Sequence, residues 1–473
     1  MSRSLRRVTA RDLMEPLRVT LGAGQPLAEA AARIRAQGTF AAPVIRAGRP
    51  IGVLTRSMAE SALRHGLGQV LTGRLVVGGA RWVRPQASLG ALERAARGTA
   101  PALLVRGGAG RLLGIVSRHR IEEALERGAA AGLNGSQRGG KDAGRTMHRL
   151  LGAGIVDVLG AAGGLAAVRQ TPLYLVGGIV RDLLMGRGGT DLDLVVRSDG
   201  IAFAEELARS LGGSIVRHTA FCTAVVTLPT GVKIDVATAR REVYAAPAAL
   251  PSVSRGTMLD DSMRRDVTIN SLAIRLDGDF HGRLRDDLDG AKDIAAGVLR
   301  VHHAMSLVED PTRAWRIGRL AARFDFRMAE ETRRSLDLAA GVRAFDALTG
   351  ERLYREFGLI ASEPRPEAAL DACARMGLLR QLGAPLRWNK ASATRMARLW
   401  EGLRDGAPAA LEAMPSRPLL LLMALVTGSS RSAAERVASR LRIRGANRER
   451  LLDAGAACAT LLRRLSTSAS AGR

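Results

Sequence analysis

The chain is 473 residues long, enough for three or more domains, and its 71 Lys plus Arg against 45 Asp plus Glu give a formal net charge of +26. Such a field attracts a polyanion, and with only 3% aromatic residues a folded RNA read through shape and phosphates fits better than a single strand read by stacking. Three scattered cysteines without C-x-x-C spacing, seven histidines without zinc spacing and a longest apolar run, Leu419 to Val426, far below bilayer length argue against a disulfide framework, a zinc module and a membrane role, and for a cytoplasmic protein.

The first feature in chain order is an internal repeat. Pro43-Val44-Ile45 followed by Gly52-Val53-Leu54-Thr55-Arg56 recurs as Pro101-Ala102-Leu103-Leu104-Val105 followed by Gly114-Ile115-Val116-Ser117-Arg118. In both copies two apolar strands broken by a Gly-containing turn lead into a helix. The repeat resembles a tandem CBS pair, here residues 1–128, a module that often binds adenosine-containing ligands between its halves. Thr55 and Ser117 fall at that family's ligand-binding hydroxyl position. Its acidic residue three positions later, which holds ribose hydroxyls, is replaced by Met58 and Arg120. A structural or dimerising role is therefore at least as well supported as an adenosyl ligand. Residues 129–145, with Gly, Ser and Lys141, read as a linker.

Residues 146–300 hold the densest chemistry. Leu173-Tyr174-Leu175-Val176 has strand length, Gly177-Gly178 breaks it, and Ile179 to Met185 has the spacing of a short helix that stops at Gly186. A strand, a Gly-Gly turn and a helix start make a phosphate cradle, and Arg181 on the first helical turn adds a guanidinium fork. A second strand is expected to begin at Thr190, so that Asp191 and Asp193 project from one face. Two such carboxylates repel unless a cation lies between them, and Mg²⁺ is the natural choice. Asp235, in the strand-like Lys233-Ile234-Asp235-Val236-Ala237-Thr238, is a candidate third carboxylate. In Met263-Arg264-Arg265-Asp266-Val267-Thr268-Ile269-Asn270 an Arg pair precedes Asp266 and Asn270 at helical spacing and runs into an apolar stretch, which places Arg265 to contact triphosphate or ribose.

Next comes Glu309-Asp310-Pro311-Thr312-Arg313-Ala314-Trp315-Arg316-Ile317-Gly318-Arg319. Pro311 suits the first turn of a helix and the acids before it suit the positive end of the dipole. On one helix Glu309, Arg313 and Arg316 would share a face, with Asp310 and Arg313 as neighbours. Cytosine and adenine both present an amino donor beside an unprotonated ring nitrogen, whereas uracil and guanine present a carbonyl beside a ring N–H. Asp310 can only accept and Arg313 can only donate, so the pair matches C and A and rejects U and G.

The series GGIVRD, DLD, RRDVTIN and EDPTRAWRIGR, in this order, resembles the class II tRNA nucleotidyltransferase and bacterial poly(A) polymerase family of the polymerase β superfamily, from about Leu173 to Gly377. The resemblance implies a multidomain α+β chain: the CBS pair, a mixed-sheet nucleotidyltransferase head over 146–300, a helical neck over 301–365 and a helical body and tail over 366–473 that bind RNA. It further implies Mg²⁺-dependent addition of CMP and AMP, from CTP and ATP, to the 3′ end of tRNA without a nucleic-acid template. Carried over, Asp191 and Asp193 match the Mg²⁺ ligands. Gly178, Arg181, Arg265, Arg316 and Arg319 match nucleotide-binding positions, beside Gly177, Asp266 and Asn270, and Glu309, Asp310 and Arg313 match the template for the incoming base. Gly350-Glu351-Arg352 and Met376-Gly377-Leu378-Leu379 resemble later neck and body motifs. Thr312-Arg313-Ala314-Trp315 departs from the family, which has aliphatics around the Arg.

Downstream of about Arg323 the chain is Ala-, Leu- and Arg-rich with helical periodicity, and Arg431 to Arg450 is a candidate RNA-gripping stretch. Full CCA addition is the first expectation, and CC-only addition, A-only addition and poly(A) synthesis stay open as alternatives. A protein that binds RNA without chemistry is the alternative of another class, and the intact Asp-x-Asp argues against it.

Overall fold

The computed structural model describes residues 8–130, 143–386, 388–405 and 415–455. Most of the linker expected over 129–145 lies outside the described residues, as does Cys458. The chain divides into two compact units. Residues 1–246, 250–306 and 329–335 form the first, and 247–249, 307–328 and 336–473 the second. The repeat and the head, read from the sequence as separate domains, thus share one unit.

Each half of the repeat is a β-hairpin flanked by helices. In the first, α1 (Leu27–Ala36) precedes β1 (Ala41–Arg46) and β2 (Arg49–Thr55), which pair antiparallel and lead into α2 (Arg56–Arg64). In the second, α3 (Leu89–Ala96), β3 (Ala102–Arg106), β4 (Leu112–Ser117) and α4 (Arg118–Ala130) repeat that order. Both hairpins shift register at the matching place, between Val44 and Ile45 and between Val105 and Arg106. Ala41 and Val53 of one half bury against Ala102, Leu104 and Ile115 of the other, so the two share a core. Thr55 and Ser117 act as helix caps: Thr55 Oγ1 accepts from the Met58 N–H at 3.1 Å and Ser117 Oγ from the Arg120 N–H at 3.2 Å.

The head follows with α5 (Gly144–Leu150), α6 (Ala153–Val168), β5 (Leu173–Val176), α7 (Gly178–Leu184), β6 (Leu192–Val196) and α8 (Gly200–Ser210). Next come β7 (Ser214–His218), β8 (Thr223–Thr227), β9 (Lys233–Thr238), the hairpin β10 (Arg240–Val243) with β11 (Ser252–Arg255), α9 (Met258–Met263), β12 (Ala273–Arg275), β13 (Leu284–Arg285) and α10 (Gly290–Ala295). Seven strands form one mixed sheet in the order β7-β8-β9-β6-β5-β12-β13, in which β6 and β9 run parallel and the other neighbours antiparallel. Alternation along the strands sends Leu173, Leu175, Leu192, Leu194, Ile234 and Val236 into one core with Leu159 of α6, Val180 and Leu183 of α7 and Phe203 and Leu207 of α8. That packing fixes the ends of β5, β6 and β9 against each other.

Beyond the short strands Val298–Leu299 and Arg327–Met328, helices follow: α11 (Ser306–Glu309), α12 (Thr312–Phe324), α13 (Glu330–Gly341), α14 (Gly350–Ala361), α15 (Pro366–Arg375), α16 (Lys390–Asp405), α17 (Arg417–Val426) and α18 (Arg431–Arg440). In the second unit α12 lies against α15 so closely that a Cβ on Gly318 would come within 2.5 Å of Cys373 Sγ. Trp315 of α12 is fully buried with its ring 5.3 Å from that of Phe357 on α14. Among the described residues no helix is long and apolar enough to cross a membrane.

Candidate active site

Three of the expected carboxylates gather where β5, β6 and β9 run side by side. Val176 pairs with Asp193 across β5 and β6, and Asp193 with Asp235 across β6 and β9, so the two acids stand at one level of the sheet. Strand β6 begins at Leu192, later than the sequence suggested, because only there does it find Ile234 as a partner. Asp191 therefore sits just ahead of the strand and is exposed, whereas Asp193 is half-buried. Burial pushes the Asp193 carboxyl up to about 6, with Asp235 and Asp191 adding to the rise and Arg265 opposing it. Burial also raises Asp235 above the usual carboxylate range, and Asp191 adds to that rise while His218 opposes it.

The Gly-Gly turn borders this cluster. Gly177 has φ +84°, and a Cβ there would stand 3.0 Å from Asp193 Oδ2 and 3.5 Å from Arg265 Nη1. The backbone conformation and the space both require glycine. Any side chain would fill the gap in front of the Asp193 carboxylate. The chemistry of the acids fits a hard cation, since like charges are crowded where burial already disfavours them. Among the described residues no three His, Cys, Asp or Glu side chains close into a metal cage by themselves. An open pair of carboxylates is what Mg²⁺ takes when water and phosphate oxygens complete its shell.

Around the turn the arginines are held by acids. Arg181 is buried, donating from Nε and Nη2 to Asp182 at 2.9 Å each and from Nη1 to Asn270 Oδ1 at 2.7 Å. Asn270 in turn donates to both oxygens of buried Asp266, at 3.0 and 3.1 Å. The structure thus joins Arg181, Asn270 and Asp266 into one network. Arg264 and Arg265 share Asp261, a fully buried carboxylate: Arg264 Nη2 lies 2.7 Å from Oδ1, and Arg265 donates to Oδ2 from Nε and Nη2 at 3.2 and 2.8 Å. Its neighbouring guanidiniums hold the Asp261 carboxyl below the usual range against the burial that would raise it. Sequence reasoning passed over Asp182 and Asp261, although Asp261 precedes the Arg pair by three and four residues, the spacing of neighbours on a helix.

The remaining expected residues belong to the second unit. Glu309 closes α11, Asp310 and Pro311 break the chain, and α12 starts at Thr312, so Glu309 does not share a helix with Arg313 and Arg316 as the spacing had suggested. The residue ahead of a proline avoids the helical region, which ends the first helix before Asp310. Asp310 Oδ1 accepts from the Thr312 N–H and hydroxyl at 3.2 and 2.6 Å and from Arg352 Nη2 at 2.8 Å. Arg352, of the Gly350-Glu351-Arg352 motif, also donates to the Ala248 carbonyl at 2.7 Å, and its pairing with Asp310 across 42 residues is one that no local spacing announces. Arg313 is buried and Arg316 exposed. Arg319 lies 3.2 Å from Glu363 and 3.9 Å from Glu356. Burial raises the Glu356 carboxyl, opposed by Arg316 and Arg319.

Both family models that match the chain fall within the first unit, residues 247–249 apart. Residues 173–300 match the family model described as the poly A polymerase head domain, and residues 10–64 match the CBS domain model. The A-adding tRNA nucleotidyltransferase of Geobacter sulfurreducens is 33% identical over 380 residues, which are 79% of this chain and 43% of that protein. The CC-adding tRNA nucleotidyltransferase of Deinococcus radiodurans is 42% identical over 202 residues, 42% of this chain and 52% of the relative. The chain spans about half the length of these curated relatives. A solved structure of the Thermotoga maritima CCA-adding enzyme complexed with tRNA is 30% identical, with a TM-score of 0.57 over 69% of this chain and 76% of that one.

Proposed function

The chain belongs to the family of tRNA nucleotidyltransferases and bacterial poly(A) polymerases, and on that premise we propose that it adds CMP, AMP or both, from CTP and ATP, to the 3′ end of tRNA in the cytoplasm, releasing pyrophosphate. The observation that carries this reading is the crowding of Asp193, Asp235 and Asp191 beside the Gly177 turn, with Arg265 anchored alongside. Nucleotide transfer to the tRNA end is what the names of the relatives have in common. A-only addition is favoured by the long match to the Geobacter protein, which covers 79% of this chain.

In this mechanism Asp191 and Asp193 would hold Mg²⁺, and Asp235 adds from the next strand a third negative charge that a bound cation would offset. When bound, the metal acidifies the RNA 3′-hydroxyl and offsets charge on the α-phosphate and the departing pyrophosphate. Gly177 keeps the space before Asp193 clear for phosphate. Arg265, fixed by Asp261, neutralises the triphosphate, and the Arg181–Asn270–Asp266 network keeps the turn rigid. Asp310 and Arg313 choose the base, the first accepting from the amino group of C or A and the second donating to the ring nitrogen. Arg316 remains a phosphate contact in this scheme, while Arg319, engaged by Glu363 and Glu356, braces the helix that carries it.

Purified protein with Mg²⁺ is given tRNA lacking the whole CCA end, lacking only the terminal A, or intact, with labelled CTP and ATP supplied separately and together. Extension only of the tRNA lacking its last A identifies an A-adding enzyme. Completion of both truncated tRNAs identifies full CCA addition, and long A tails on every RNA identify a poly(A) polymerase. No incorporation into any of them overturns the proposal.

A further inference from the structure

The reaction just described makes no use of the CBS pair, yet the second half of that pair grips the segment that carries the arginines. Helix α4 begins at Arg118, a buried residue whose Nη1 donates to the Gly98 carbonyl at 2.6 Å and whose Nη2 donates to the Asp287 carbonyl at 2.8 Å. The Gly98 N–H also donates to the Asp287 carbonyl, at 2.9 Å. One turn along α4, Glu122 Oε1 accepts from Arg285 Nη2 at 2.7 Å and from the Leu259 N–H at 3.3 Å. Between them His119 Nε2 lies 3.0 Å from Asp260 Oδ1.

Leu259 and Asp260 belong to α9, a helix of only six residues. So short a helix is not stable through its own backbone bonds and takes its position from its caps and tethers. Asp260 closes the capping box with Thr257 and also accepts from Arg241 Nε at 3.1 Å. The residue after Asp260 is Asp261, the anchor of Arg264 and Arg265. Arg265 lies beside the Gly177 turn and acts on Asp193.

We propose that His119 and Glu122 of the second CBS half are positioning residues for the incoming nucleotide: by tethering α9 they fix the Asp261–Arg265 pair in front of Asp193. The link is short, from His119 to Asp260, from Asp261 to Arg265, and from Arg265 to the carboxylate cluster. The CBS pair is thus a brace for the triphosphate site, and anything that displaces α4 changes nucleotide affinity before it changes RNA affinity. This rests on the transfer reading only for the identity of the ligand at Arg265.

The test uses the full chain with His119→Ala, His119→Gln and the double variant His119→Ala with Glu122→Gln. Three quantities are read: KM and kcat for ATP and CTP on truncated tRNA, the Kd of Mg·ATP and Mg·CTP by calorimetry, and the Kd of tRNA by filter binding. Loss of one hydrogen bond to a charged group, felt through an intervening helix, is expected to raise nucleotide KM and Kd about three- to tenfold. The tRNA Kd stays unchanged, the double variant goes further, and His119→Gln, whose amide can donate to Asp260, recovers most of the loss. Unchanged nucleotide KM and Kd in both Ala-bearing variants overturns the proposal, whether or not the melting temperature falls. A wild-type chain that binds Mg·ATP without incorporating it overturns the transfer reading alone, because the Kd comparison still decides the brace. One that binds neither nucleotide overturns both.

Discussion

Asp193 has neighbours that work against its charge. Burial, Asp235 and Asp191 all favour its protonated form, and the opposing pull of Arg265 leaves its carboxyl at about 6, near enough to neutrality that a divalent ion readily displaces the proton. The same crowding makes the residue hard to replace. Asn keeps the shape and one acceptor but removes the charge, so Asp193→Asn is expected to lower single-turnover incorporation by about a thousandfold or more, as loss of metal-held charge stabilisation does. Filter binding of tRNA should change less than about twofold, since the substitution leaves the arginine surplus of the chain untouched. Turnover within about tenfold of the wild type would remove Asp193 from the metal site.

At the scale of elements, α12 shows what an unusual residue does to packing. Trp315 puts the bulkiest side chain on a helix packed from two sides, and the structure accommodates it by full burial, its ring 5.3 Å from that of Phe357. Its Nε1 is buried without a hydrogen-bond partner among the described residues, so its fit comes from the ring. Trp315→Ala should therefore cost about 3–5 kcal/mol of unfolding free energy, and Trp315→Phe under about 1.5, because Phe keeps a ring beside Phe357 and removes the unpaired donor. Urea unfolding of the two variants checks the ordering, and a Phe variant as unstable as the Ala variant would contradict it. Elements with a clear period and glycine punctuation were legible in the chain: β5, the Gly177 turn, α7 and β9 fall within one residue of where the pattern puts them. The errors came where one residue overrides a pattern. Asp310, lying before Pro311, splits what reads as a single amphipathic helix, and β6 starts only where Leu192 meets Ile234. Contacts that close over distance, such as Arg352 with Asp310 or Glu122 with Arg285, leave no trace in local spacing. The carboxylates and arginines of the site were visible as residue types, and their anchors were not.

For the molecule as a whole the question is how much of the +26 is available to RNA. Many arginines are spent internally: Arg285 on Glu122 and Asp287, Arg300 on Asp293 and Glu331, Arg323 on Glu363, Arg181 on Asp182. Only the surplus can displace counterions from phosphates, and it is unevenly spread, with 21 Arg against eight Asp plus Glu in residues 1–128. A surplus of that size is ample for the roughly six to ten phosphate contacts typical of nucleic-acid binders. The tRNA affinity should then fall at least about a hundredfold between about 50 and about 200 mM salt, with a linear plot of log affinity against log salt. The Kd of Mg·ATP, set by a few charges in a half-buried site, should move much less over the same range. Filter binding of intact tRNA across that series measures the slope. A steep line means that the arginine surplus is the RNA-binding device. A shallow one means that RNA is held by a few specific contacts, and that most of the charge reflects composition alone.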